Sequence, residues 1–267
     1  EKAYGSNAGA YDLVLTDINL EGKMSGDKLV TRIRDLQDAR AFIPIVAITE
    51  NSSDQLRLSL YQMGINDFIQ KPVMPEELVV RIGNLISNKR LLDEVHDIRR
   101  ELFLAATTDK LTGCHNRRSL IDFSSKIIPQ AQRHKYPISL MLVDLDFFKS
   151  INDQHGHATG DLVLEAVGNL FNTSFREEDL VARFGGEEFV ILLNYCSKED
   201  SLLQAEKIRA KLEALKPANL TVTCSIGVTT LEAGSNGNFE SMFTAGDTGV
   251  YRAKEGGRNR FVFVDME

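Results

Sequence analysis

The sequence has few cysteines, no tryptophan, no surplus of positive charge and no long apolar run. Its three cysteines, Cys114, Cys196 and Cys224, cannot all pair and show no metal-ligand spacing. That argues against a disulfide framework and leaves small buried thiols in a reducing compartment. No stretch approaches the ~20 apolar residues of a membrane helix, and no secretory-signal pattern opens the sequence. The expectation is a cytoplasmic location without a membrane span. The formal net charge of −7 argues against a broad phosphate-binding surface, so no nucleic-acid partner is expected. A small, local phosphate site is still compatible with that charge. Low-complexity tracts and short repeats are also missing. What remains is 267 residues with 43% hydrophobic and 26% charged composition, enough for one large or two ordinary domains.

What is present centres on Arg183-Phe184-Gly185-Gly186-Glu187-Glu188-Phe189-Val190-Ile191-Leu192-Leu193. A Gly-Gly pair between strand-like runs reads as a hairpin turn, because both residues can take φ > 0 without a Cβ clash. The turn lifts Glu187 and Glu188 to its rim. Adjacent carboxylates repel, so a site that keeps both usually holds a cation or moves protons. Taken alone, the tetrad also reads as a solvated acidic turn.

Earlier in the chain, strand and helix signals alternate. Asp12 to Thr16 and Ile43 to Ile48 read as buried strands ending at Asp17 and Thr49, and Asp67 to Gln70 as a third ending at Lys71-Pro72. Helical spacing runs from Lys28 to Leu36, from Ser53 to Met63 with Gly64 as its stop, and onward from Pro75-Glu76-Glu77. Such alternation implies a parallel, doubly wound sheet with its functional groups at the carboxyl ends of the strands. Asp17, Thr49 and Lys71 all fall at such ends.

That constellation resembles the response-regulator receiver domain, a flavodoxin-like α/β fold, over roughly residues 1–88. The resemblance implies Asp17 as phosphoacceptor for an upstream histidine kinase and Thr49 as the hydroxyl that follows the phosphoryl group. It makes Lys71 the countercharge and Phe68 the aromatic switch residue, with a cis Lys71-Pro72 bond. An acyl phosphate needs a carboxylate nucleophile, a metal and a neutralising cation. The sequence departs from the family at its start. A receiver opens with a strand, a helix and a second strand, with an acidic pair after the first. Here only a partial helix precedes the Asp17 strand, and the acidic pair is absent. The Asp17 strand is left as an exposed edge, which proteins normally avoid. The expectation is therefore an N-terminally incomplete receiver, a fragment of a longer chain or one whose edge another chain covers, that does not phosphorylate normally.

From Leu85 the helical pattern continues. Leu91, Val95, Ile98, Leu102 and Ala105 step by four, three, four and three, with charges between them. This seam suits a parallel two-stranded coil over a linker of residues 89–108. An amphipathic helix packed on its own domain has the same pattern.

Past the linker, Ile138 to Asp146 reads as a strand with Asp144 and Asp146 sharing a face at its acidic end. Residues 161–174 read as a helix, followed by the Gly-Gly hairpin and a helix from about Glu199 to Leu215. A strand over Leu220 to Val228, a helix near Phe239 to Glu255 and a strand from Arg260 complete the set. The order implies an antiparallel-rich α+β sheet with helices on one face, like the palm of nucleotide cyclases.

Residues 109–267 resemble the GGDEF family of diguanylate cyclases, with Glu in place of Asp in the family motif. The resemblance is carried by Asp144-Leu145-Asp146-Phe147-Phe148-Lys149, Asn152-Asp153, Gly156-His157, Gly160-Asp161, the Gly-Gly-Glu-Glu hairpin, and Lys254 with Arg258. It implies condensation of two GTP into cyclic di-GMP with release of two pyrophosphates. Asp144, Glu187 and the Leu145 carbonyl become ligands of magnesium, with two ions per site, because hard oxygens and phosphates suit that ion. Glu188 becomes the other essential carboxylate, either on the second ion or acting toward the attacking hydroxyl. Lys149, Lys254 and Arg258 hold the triphosphate. Lys254 and Arg258, at i and i+4 near the end of the last helix, reach one anion together. Asn152 and Asp161 match the guanine-contacting positions, since an acceptor facing N1–H and the exocyclic amine rejects adenine. Without the resemblance, Asp161 reads as a helix N-cap and Asn152 as a turn residue. His155 and His157 read as loop packing, because no third nitrogen or sulfur ligand accompanies them.

Arg176-Glu177-Glu178-Asp179 matches the family's RxxD inhibitory site. There Arg176 and Asp179 bind the product and Lys207 adds a basic contact. The sequence thus reads as a receiver-linked diguanylate cyclase, a homodimer whose two GTP-loaded half-sites must face each other. The alternative is a catalytically silent cyclic di-GMP-binding adaptor, against which Asp144, Glu187, Glu188 and Lys254 all stand.

Overall fold

The computed structural model describes residues 11–19, 25–50 and 53–266. The partial helix expected before the Asp17 strand lies outside those residues. The chain divides into two units, Glu1–Glu101 and Leu102–Glu267.

In the first unit, short aliphatic runs form β1 (Val14–Asp17), β2 (Ile45–Thr49) and β3 (Asp67–Gln70), a parallel sheet in that order among the described residues. Helices α1 (Gly26–Arg34) and α2 (Asp54–Gln62) alternate with them. Ser53 Oγ accepts from the Leu56 N–H and so starts α2. Val30, Ile33, Ile45, Ala47, Leu60 and Ile65 form the core. The register sets Asp17 beside Ile48 and Thr49 beside Gln70, so Asp17, Thr49 and Lys71 finish adjacent strands. Among the described residues β1 pairs only with β2, and Leu15 on it is 42% exposed. The Lys71-Pro72 bond is cis. One continuous helix, α3 (Pro75–Thr107), follows, with Leu91, Val95, Ile98 and Leu102 all exposed.

The second unit is built on β5 (Ile138–Leu145), which is buried at all eight positions. The sheet order is β4 (His115–Asn116), β6 (Leu180–Gly185), β7 (Glu188–Asn194), β5, β8 (Cys224–Leu231) and β9 (Arg260–Phe263). β5 runs antiparallel to β7 and β8, while β4 pairs parallel with β6 and β9 with β8. Helix α4 (Arg117–His134) precedes β5, and α5 (Phe148–His155) and α6 (His157–Ser174) follow it. Helices α7 (Lys198–Leu215) and α8 (Phe239–Glu255) come later.

The helices expected on one face lie on both. Met141 and Val143 pack with Val163, Phe171 of α6 and Ile208 of α7, whereas Leu140 and Leu142 pack with Leu120 and Ile128 of α4 and Met242 of α8. The cause is the unbroken apolar run of β5, which leaves two faces to cover. Helix α6 starts at His157 rather than 161, which puts Asp161 in its second turn and not at its cap. β8 starts at Cys224 rather than Leu220, because Cys224 meets Leu145 at the last position of the β5 register.

Candidate active site

The hairpin turn is tighter in its glycine demand than expected. Only Gly186 has positive φ, at +53°, while Gly185 stays in β6 opposite Glu188 beyond a register irregularity that starts at Arg183. Arg183 ties the turn down. Its Nε donates to the Gly186 carbonyl at 2.9 Å and its Nη1 reaches both Asp109 oxygens at 3.2 and 3.3 Å. Asp109 in turn accepts from the Thr112 N–H and hydroxyl. Sequence reading assigned Arg183 and Asp109 no such part; a lone Arg before a Gly-Gly turn gives no hint of a partner so distant in sequence.

Glu188 opens β7 and pairs in register with Asp144 on β5. Residues directly opposite in an antiparallel ladder have Cβ atoms ~4.5–5.5 Å apart, so the two carboxylates are neighbours. Asp144 is 7% exposed and accepts from Lys254 Nζ of α8 at 2.8 Å. Burial pushes its carboxyl above the ordinary value; Lys254 opposes the rise, and Glu187 and Asp146 add to it. Burial likewise raises Glu188, helped by Asp144 and Glu187. Several carboxylates thus share one ammonium, an imbalance that a further cation relieves.

Asp146 plays a different part. It is 3% exposed and accepts from Thr223 Oγ1, Ser225 Oγ and the Asn259 N–H at 2.8, 2.7 and 3.0 Å. It anchors the turn after α8 to the sheet.

Helix α5 sets Lys149 in an exposed position just past Asp146. Asn152 Oδ1 on the same helix is buried and has no hydrogen-bond partner. A Cβ on Gly160 would meet that oxygen at 1.9 Å, so glycine is required there for the close approach. An orphaned buried acceptor costs ~1–3 kcal/mol, and a donor on a ligand removes that cost. Asp161, next to Gly160, is exposed. Arg258 does not sit on the last helix with Lys254 as expected. Helix α8 ends at Glu255, Gly257 takes φ +109°, and Arg258 itself takes φ +64°. The turn lays its guanidinium over the Phe147 ring at 4.5 Å, while Lys254 is engaged by Asp144. His155 and His157 are exposed, and among the described residues no three His, Cys, Asp or Glu side chains converge on a common ion position.

Arg176, Asp179 and Lys207 line one cavity of about 410 Å³ with Asn194, Tyr195 and Gln204. The Asp179 carboxylate accepts from the backbone N–H groups of Arg176 and Asn194, each at 3.1 Å, and burial raises its pKa. The Arg176 side chain is 75% exposed and points its charge outward, with Glu178 at 3.7 Å. In the first unit, Asp17 accepts from Lys71 Nζ at 2.6 Å and from the Asn19 N–H at 2.9 Å. Those two donors, Lys71 first, hold its carboxyl below the ordinary value. Thr49 is buried, and Phe68 packs edge-on to Tyr61 with the Arg57 guanidinium 5.0 Å from its ring. All three cysteines are free and buried, and burial lifts the Cys114 and Cys196 thiols to about 11.

A family model described as the GGDEF domain of diguanylate cyclases matches residues 106–260, and one for the response regulator receiver domain matches residues 4–83. The chain belongs to the GGDEF family and carries a receiver domain ahead of its GGDEF domain. It is 34% identical over 269 residues to the response regulator PleD of Caulobacter vibrioides, covering 98% of this chain and 58% of that protein. It therefore spans a little over half the length of that relative. The coiled coil and GGDEF domain of DgcB from Caulobacter crescentus, solved with c-di-GMP, matches with a TM-score of 0.58 at 26% identity, over 70% of this chain and 98% of that one. The active GGEEF domain of a diguanylate cyclase from Vibrio cholerae matches with a TM-score of 0.52 at 34% identity, over 58% of this chain and 97% of that one.

Proposed function

We propose that this chain condenses two GTP into cyclic di-GMP and two pyrophosphates, as a homodimer governed by its receiver domain and inhibited by its product. The observation that carries the reading is the pairing of buried Asp144 with half-buried Glu188, short of positive charge and beside Lys254. The proposed division is a receiver domain over 1–88, a coiled-coil linker over 89–108 and a cyclase domain over 109–267.

The donor set fits magnesium. Asp144, Glu187 and the Leu145 carbonyl offer hard oxygens, and with no closed cage among the described residues the remaining ligands fall to phosphates and water. When bound, two such ions polarise the α-phosphate and neutralise the departing pyrophosphate. The chain's own residues do the rest. Asn152 and Asp161 accept from the guanine N1–H and amine. Lys149, Lys254 and Arg258 hold the phosphates, and Asp144, to which Lys254 now donates, would also serve as a ligand of magnesium. Glu188 accepts the proton of the 3′-hydroxyl as that oxygen bonds to the α-phosphorus and the bond to pyrophosphate breaks.

Each subunit holds one GTP, so two copies must face each other. The exposed seam of α3 supports pairing through a coil, and the relative DgcB was solved with such a segment. Phosphorylation of Asp17 by an upstream histidine kinase, in a receiver whose acidic pair is supplied, sets that encounter, with Thr49, Phe68 and Lys71 as the responding residues. Cyclic di-GMP bound by Arg176, Asp179 and Lys207 opposes it. The proposed setting is the cytoplasm.

The test is pyrophosphate release with GTP or ATP plus magnesium across a range of protein concentrations, with the nucleotide products identified. Turnover of GTP alone, with specific activity rising with concentration, is expected. No turnover at any concentration, together with tight cyclic di-GMP binding, would replace the cyclase with a silent adaptor.

A further inference from the structure

We propose that Phe147 is a positioning residue whose ring pre-orients Arg258 for the triphosphate. The inference rests on the cyclase reading above. Phe147 holds φ +57° and ψ +23°, a left-handed conformation that a bulky side chain rarely adopts. The residue is 63% exposed, between buried Asp146 and Phe148, so packing in the core does not hold it there. Facing it, Arg258 and Asn259 are also left-handed, at φ +64° and +46°. Strained residues persist where their surroundings over-determine them, and such places concentrate at functional sites.

The surroundings are visible here. Asn259 gives its N–H to Asp146 at 3.0 Å, accepts from Arg209 at 2.9 Å and donates to Glu213 at 2.9 Å. Asp146 directly precedes Phe147, so one carboxylate links the two strained turns. Between them the Arg258 guanidinium lies 4.5 Å from the Phe147 ring centre. Among the described residues that guanidinium has no ion-pair or hydrogen-bond partner. A ring face restricts the long side chain and leaves the donors around the guanidinium rim open to an anion. The open rim fits a phosphate group of a nucleotide.

The experiment measures GTP kinetics for Phe147→Ala, Phe147→Leu and Phe147→Tyr, and binding of a non-hydrolysable GTP analogue and of guanosine to each. Loss of the ring should raise KM for GTP about two- to five-fold in the Ala and Leu variants, with kcat little changed. Tyr should restore the wild-type value. Analogue binding should weaken by the same factor and guanosine binding should not. In an Arg258→Ala background, Phe147→Ala should add nothing further. Wild-type KM in Phe147→Leu, or a full effect without Arg258, would overturn the inference and leave the cyclase reading standing. A wild type that binds the analogue but never turns GTP over would overturn the cyclase reading, and the binding series would still decide the part of Phe147.

Discussion

Asp17 and Lys71 meet at 2.6 Å at the end of the parallel sheet, and Asp144 and Lys254 meet at 2.8 Å beside the Gly-Gly hairpin. The two pairs have nearly the same geometry and opposite proton affinities. Lys71 holds the Asp17 carboxyl below its ordinary value, whereas burial lifts Asp144 above it against the pull of Lys254. The surroundings make the difference. The Asp17 side chain is 26% exposed, and the only other carboxylate at Lys71 among the described residues is Glu50, at 3.6 Å. The Asp144 side chain is 10% exposed and shares its lysine's field with Glu187 and Asp146. Desolvation penalises the charged form, and like charges compound it. A carboxylate content with its lysine suits a countercharge relay, while one still short of charge suits an incoming cation.

The largest effect should come from Glu188→Gln. Loss of that carboxylate should cut pyrophosphate release at least ~100-fold and leave cyclic di-GMP binding intact. Stability should move the other way. Glu188 has a raised carboxyl in the folded state, so its contribution is present below the ordinary glutamate range and lost as pH rises through the raised value. Gln removes that loss, so the melting temperature at pH 8 should rise. Asp17→Asn should instead lower it, because a satisfied carboxylate disappears and Lys71 is left behind. A falling melting temperature in Glu188→Gln would break the contrast.

Next in size is removal of each lysine. Lys254→Met leaves Asp144 buried without its donor and should cost ~1–3 kcal/mol, with turnover reduced about tenfold or more. Lys71→Met leaves Asp17 facing water and should cost clearly less, because exposed pairs contribute little. Denaturant unfolding of the two variants side by side decides this, and equal losses would mean that burial does not separate the pairs.

The receiver-side pair was legible because parallel strands end on one side of their sheet. Asp17, Thr49 and Lys71 could be read off three strand ends once Gly64 and Pro75 had marked the helices between them. The other pair was not. Asp144 sits on β5 and Lys254 on α8, and nothing local says that the lysine reaches the carboxylate and not only a ligand. Helix α4 has no counterpart in the sequence reading, although Asn116 caps it, Leu120, Ser124, Ile128 and Ala131 keep helical spacing, and Pro129 sits inside it. The second covered face was foreshadowed by the continuous apolar run of β5, which alternation-based reading discounts. Gly256-Gly257 foretold that Arg258 leaves the helix, had the pair been given the weight of a C-terminal stop.

The smallest effect is the most direct measure of the comparison: titration of the two aspartates by carboxyl carbon-13 NMR. Asp17 should titrate below 3.8 and Asp144 above it. The signs for stability follow. The Asp17 contribution is present above the ordinary aspartate value and lost as pH falls through its depressed value. The Asp144 contribution is present below the ordinary value and lost as pH rises through its raised one. Magnesium then separates the sites again. On the proposed reading an ion shared by Asp144 and Glu187 would supply the missing positive charge, so the Asp144 midpoint should fall when magnesium is added and recover when it is chelated. Asp17, already matched by Lys71, should hold its midpoint. A shift of Asp17 with Asp144 unmoved would reverse which pair is the cation site.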